Sequence, residues 1–128
     1  MKNLATFGRI LFALPFALFG INHFLMTDYY LGMLTSFVPL GGYTVLLTGL
    51  VMIGVSISII TKKFIRLSTL ILAGLLFIFI VTIHIPHLFD GTDKTPIVIA
   101  LLKDISLMGG SLMIAAYCWE NEKKNINE

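Results

Sequence analysis

Four apolar runs, at residues 4–26, 43–61, 67–89 and 95–119, each approach the roughly 20 residues that a helix needs to cross the hydrocarbon core of a bilayer. No other feature of the chain limits its folding so strongly. Composition agrees: 12% of the residues are charged and 57% hydrophobic, where a soluble domain carries about 25% charged residues. The expected fold is therefore all-α, an integral membrane four-helix bundle formed by one transmembrane domain over residues 1–119. Residues 120–128 make a polar tail, expected to fray.

The first run follows Lys2 and invites comparison with a secretion signal, but it is too long for an apolar signal core. Arg9 interrupts it, and no small-x-small cleavage site follows. It reads as a retained helix, with Pro15 removing one backbone donor. Residues 27–42 hold Asp28, Tyr29, Tyr30, Phe37 and Pro39, a mixture suited to the water–lipid boundary as a short interfacial helix or a partly re-entrant loop. The second run carries Thr48, Gly49, Gly54, Ser56 and Ser58, small residues that let helices approach closely. Pro96 suits the first turn of the fourth helix, where a missing donor costs nothing.

Lysine and arginine set the orientation. With four spans, Lys2, the Lys62-Lys63-Arg66 loop and Lys123-Lys124 fall on one side, and the first loop has no basic residue. Both termini are expected in the cytoplasm. A net charge of +2 is too small to suggest a nucleic-acid partner; the expected surroundings are the lipid bilayer. Cys118 is the single cysteine, so no internal disulfide forms, and it reads as a small apolar filler.

Lys103 and Asp104 stand in the middle of the fourth run. A charge at mid-bilayer costs about 2.5–3.5 kcal/mol on insertion scales and marks a functional site by default. At 100° per residue, Lys103, Asp104, Ser106, Gly110, Ser111 and Ala115 share about half the circumference, opposite Leu101, Leu102, Ile105 and Leu112. The first set is expected to face the bundle and the second to face lipid. In the first helix Arg9, Phe16, Gly20 and His23 fall on one line. In the third, His84 and His87 are three apart and share a face near the outer end. His23, His84, Lys103 and Asp104 are the candidate catalytic residues, lining the outer half of the bundle. Phe16, Phe19 and Phe77 are candidate walls for a lipophilic ring.

Each of these residues also has a structural reading. Lys103 and Asp104 can neutralise each other, or Asp104 can pair with Arg9, as packing glue; Arg9 alone suits an interfacial anchor. The histidines can be helix-end residues bonded to backbone or water. His84-x-x-His87 is a poor metal pair, because Pro86 distorts the helix and no carboxylate completes a set, so no metal is expected.

Three stretches together resemble the DoxX family of small four-helix membrane proteins. They are an early arginine with Gly20-Ile21-Asn22-His23-Phe24, a Val38-Pro39 loop leading to Thr48-Gly49, and Leu102-Lys103-Asp104-Ile105-Ser106-Leu107-Met108-Gly109-Gly110. The resemblance covers nearly the whole chain and implies four transmembrane helices in the bacterial inner membrane. Some members resemble quinone-linked thiosulfate-oxidising subunits, others associate with redox and detoxification complexes, and a related animal branch acts in receptor assembly. Carry-over by position reaches Arg9, Asn22-His23 and Lys103-Asp104. Cys118 lies at the cytoplasmic end, which argues against covalent sulfur transfer in the outer half.

The leading expectation is a redox subunit associated with quinone, an oxidoreductase component if it is an enzyme. His23 or His84 would exchange protons near neutral pH, with Lys103 and Asp104 setting the field. No flavin, haem or iron–sulfur motif is present, so electrons would come from a membrane or redox partner protein. One alternative is a non-catalytic assembly or stabilising partner of another membrane protein, docking through the polar-free residues 70–81. Another is a small-solute carrier in which Lys103 holds an anion, acting as a homo-oligomer because one four-helix chain is small for a pathway. Copurified quinone separates the first from the second, which predicts a stoichiometric membrane protein instead.

Overall fold

The computed structural model describes residues 1–36, 38–91 and 93–128. The described residues are helical without strands: α1 Lys2–Leu25, α2 Thr27–Met33, α3 Gly42–Thr61, α4 Ile65–Phe79, a π-helical segment Ile80–His84, α5 Ile85–His87 and α6 Lys94–Asn127. Four stretches are long and apolar enough to cross a membrane: α1, α3, Ile65–His87 and α6. Only 17% of the apolar window of α1 and 11% of that of α6 is buried within the protein. The outward residues are Leu, Ile and Phe, a surface that needs hydrocarbon around it. The chain is a multi-pass integral membrane protein. Phe37, placed in the boundary loop from sequence, lies outside the described residues.

Two compact units divide the chain, Met1–Phe64 and Ile65–Glu128. In the first, α1 and α3 run antiparallel. Ser56 Oγ donates to the Ala13 carbonyl at 2.8 Å, and Gly20 and Gly49 meet seven residues further along each helix, in opposite directions. A Cβ added at Gly20 would stand 2.6 Å from Ile53 Cγ1 and 2.7 Å from the Gly49 carbonyl oxygen; one at Gly49 would stand 2.8 Å from both the Gly20 oxygen and His23 Cβ. The seam thus needs glycine on both sides, as small-residue packing in membranes does. Ala13, Phe16, Gly20 and His23 are the buried residues of α1, so the line expected to face inward does so, with Arg9 half-buried at its start. α1 passes through Pro15 without a break. The expected boundary segment contains α2, seven residues long.

In the second unit α4 packs on α6. Arg66 meets Glu122 at one end of the pair and His84 meets Asp104 towards the other. From 66 to 84 and from 104 to 122 is 18 positions in each case, so the helices are antiparallel in a constant register. Ser68, Thr69, Leu72, Ala73 and Leu76 of α4 are buried, as are Asp104, Ser111 and Ala115 of α6. Thr69 Oγ1 donates to the Ile65 carbonyl at 2.8 Å, and Ser111 Oγ to the Leu107 carbonyl at 2.9 Å, so these buried hydroxyls are satisfied within their own helices. The Asp93 side chain accepts from the Thr95 N–H at 3.1 Å and caps α6, placing Pro96 in the first turn.

Two features depart from expectation. α6 does not fray at Glu120 but continues through the polar tail to Asn127. Glu120 and Lys124 stand four apart in the favourable order, and Arg66 and Lys123 both lie over the Trp119 ring, at 3.7 and 4.8 Å from its centroid. The third span is not one uniform α-helix. The Ile85 N–H reaches the Ile80 carbonyl across five residues, the π pattern. Pro86, which has no N–H to offer the fourth residue before it, follows directly.

Candidate functional site

The π segment brings His84 to α6. Its Nε2 lies 2.7 Å from Asp104 Oδ2, and the other carboxylate oxygen, Oδ1, lies 3.6 Å from Lys103 Nζ. A carboxylate only accepts, so Nε2–H donates to Asp104. Asp104 is 5% exposed. It stands ten residues beyond Lys94, the first residue of α6. That is about 15 Å at 1.5 Å per residue, half of a hydrocarbon core roughly 30 Å thick. A carboxylate at that depth needs a hydrogen bond and a countercharge, and it has both.

His87 does something different from His84. Its Nδ1–H donates to the Ile83 carbonyl at 2.6 Å, and its Nε2 lies 3.9 Å from Asp90 Oδ2. It caps the backbone where the helix is disturbed, the structural role open to it from sequence. His84 and His87, expected to share a face, hold separate partners: Asp104 for the first and the Ile83 carbonyl for the second. Among the described residues, no three His, Cys, Asp or Glu side chains come together as a metal centre would need.

Lys103 and Ser106 correct the expected inner face of α6. The Lys103 side chain is 52% exposed and Ser106 is also exposed, whereas Asp104, Ser111 and Ala115 are buried. At 100° per residue these last three lie within about 20° of one line, with Lys103 about 100° to one side and Ser106 about 160° away. The buried stripe is narrower than half the helix and centred on Asp104. Lys103 reaches the carboxylate from its edge. Leu102, Ile105 and Leu112 face outward as expected.

His23 belongs to the first unit. It is 7% exposed, its Nδ1–H donates to the Phe19 carbonyl at 2.7 Å, and the Tyr30 ring stacks on it at 3.9 Å with an interplanar angle of 13°. Gly49 sets its position, since any side chain there would meet His23 Cβ. With Nδ1–H given to the backbone, a neutral His23 presents Nε2 as its acceptor. Burial, reinforced by the neighbouring Tyr29, raises the Tyr30 phenol above its ordinary range, so it stays uncharged against the imidazole. Tyr30 was placed in the boundary segment from sequence without a role in the site. Its spacing of seven from His23 carries no signal across the break between α1 and α2.

The three phenylalanines proposed as ring walls are placed differently from one another. Phe16 is 2% exposed and packs against Phe12 at 5.4 Å between centroids; Phe19 is 37% and Phe77 57% exposed. Phe77 projects outward from α4 rather than into the seam with α6. Arg9 Nε is buried without a hydrogen-bond partner. Compared with family models, with curated proteins and with solved structures, the chain matches none.

Proposed function

We propose that this protein is a DoxX-type subunit of the bacterial inner membrane, with both termini in the cytoplasm, and that it handles protons for a lipophilic quinone-class redox partner. The observation that carries this reading is the His84–Asp104 pair, a 2.7 Å hydrogen bond to a carboxylate 5% exposed and ten residues into the apolar helix α6. Ionisable residues within membrane spans mark proton relays and substrate pathways by default. Imidazole is the side chain that exchanges protons in the neutral range. π segments recur at functional positions, where the extra residue re-aims a side chain; here that side chain is His84. A quinone takes up two electrons and two protons on reduction. The pair serves the proton side, Lys103 adds positive field to Asp104, and a partner protein supplies the electrons.

The test is retention of quinone. The protein is purified into nanodiscs made with ubiquinone or menaquinone in the lipid, and bound quinone is extracted and quantified. About one quinone per chain is expected in the wild type, with a loss of at least fivefold in His84→Ala at equal protein recovery. Quinone no higher than in empty nanodiscs would overturn the reading. A stoichiometric membrane protein captured in its place would support the assembly-partner alternative.

A further inference from the structure

At the end of the α4–α6 pair far from His84, Arg66 lies over one ring, Trp119, that Lys123 also approaches. Trp119 is the single tryptophan of the chain. Glu122 meets Arg66 Nη1 at 3.4 Å and is itself 58% exposed, so two cations face one loosely held carboxylate. An open groove of about 360 Å³ continues from this cluster along the helices, lined by Arg66, Leu70, Leu112, Ala115, Ala116 and Trp119. Leu70 and Leu112 are 44% and 47% exposed, so the groove is accessible from the surroundings.

From this arrangement we infer that the groove seats an anionic phospholipid, its phosphate between Arg66 and Lys123 and the start of an acyl chain along Leu70, Leu112 and Ala116. Charge complementarity selects the occupant. A guanidinium and an ammonium beside an indole match a phosphate at the headgroup level, where tryptophan settles. The small side chains of Ala115 and Ala116 leave the depression, and its apolar walls match a hydrocarbon chain better than a soluble anion. The contact of the guanidinium with the indole, 3.7 Å from the ring centroid, holds it in place before lipid arrives. Basic residues near an anionic leaflet each favour such contact by an amount that salt screens.

Trp119 reports directly on the site. The full chain is reconstituted in phosphatidylcholine vesicles containing increasing fractions of phosphatidylglycerol or phosphatidylcholine with brominated acyl chains, which quench indole on contact. Half-maximal quenching is expected at a fraction at least threefold lower for the anionic lipid. The preference should disappear in Arg66→Gln/Lys123→Gln and shrink in Lys123→Gln, an exposed change that leaves the fold alone. It should survive in Lys94→Gln at the other end of α6. Equal quenching by the two headgroups in the wild type, or a preference that persists in the double variant, would overturn the inference. So would release of the brominated lipid by millimolar glycerol phosphate, which would identify a soluble-phosphate site with no role for the groove.

Discussion

Asp104 holds two partners of unequal value, and the inequality is testable. His84 donates at 2.7 Å, whereas Lys103 stands at 3.6 Å with half its side chain exposed. Removing His84 leaves the buried carboxylate with a single distant countercharge. His84→Ala should therefore cost about 3–5 kcal/mol, the range for breaking a buried pair. Lys103→Met removes the longer contact, from a lysine that itself pays to sit at this depth, and should cost less than His84→Ala. Thermal unfolding of both variants in one detergent checks the order; a Lys103→Met loss equal to that of His84→Ala would contradict it. Lysine next to aspartate was legible in the sequence as the place where chemistry or glue must lie. Which of the two is buried was not, because neighbours on a helix differ by about 100° and only packing chooses between them.

At the scale of elements, the glycines divide by what surrounds them. Alanine favours a helix by about 1 kcal/mol over glycine, so Gly74→Ala, with nothing within 4 Å of the added carbon, should be neutral or stabilising. At Gly20 the same change meets a backbone oxygen at 2.7 Å that cannot move aside, and should lose about 1–3 kcal/mol to overpacking. Opposite shifts in melting temperature are the expected result. The π segment yields a second contrast. A π turn holds one residue more than the α register needs. Deleting Val81, which is 44% exposed, should restore a plain α-helix and keep both flanking faces in place. Deleting Ile71, 45% exposed within α4, should rotate the rest of the span by about 100° and lower the melting temperature far more. Four long apolar helices were readable from the apolar runs, because length and hydropathy decide them, though the fourth runs on from 119 to Asn127. The π turn left only Pro86 as its trace. The helical tail was missed because polarity is a statement about solvent and does not by itself end a helix, and α6 runs on to Asn127.

At the scale of the whole molecule, the proposed topology, which the basic residues near Lys62 and the C-terminus favour, puts residues 90–94 outside. With Cys118→Ser as background, Asp93→Cys should react with an impermeant thiol reagent added from outside the cell and not from the cytoplasmic side; the reverse pattern would invert the topology. Gly20-Ile21-Asn22-His23-Phe24 and Lys103-Asp104 stood out in the sequence as candidates for function, and the structure buries His23 and Asp104. Phe19 lies one turn before His23 on the same helix, whereas Tyr30 for His23 and His84 for Asp104 come from the chain folding back, which spacing along it does not encode. Whether the buried cluster is a site or only packing glue is decided by His84→Leu/Lys103→Met/Asp104→Leu, which removes the hydrogen bond and both charges together and so leaves nothing stranded. Its stability and its ability to complement a chromosomal deletion are measured on the same preparation. A proton-handling site predicts a variant within about 1 kcal/mol of the wild type that fails to complement. A variant equally stable and fully active would contradict that function and leave His84 and Asp104 as structural glue.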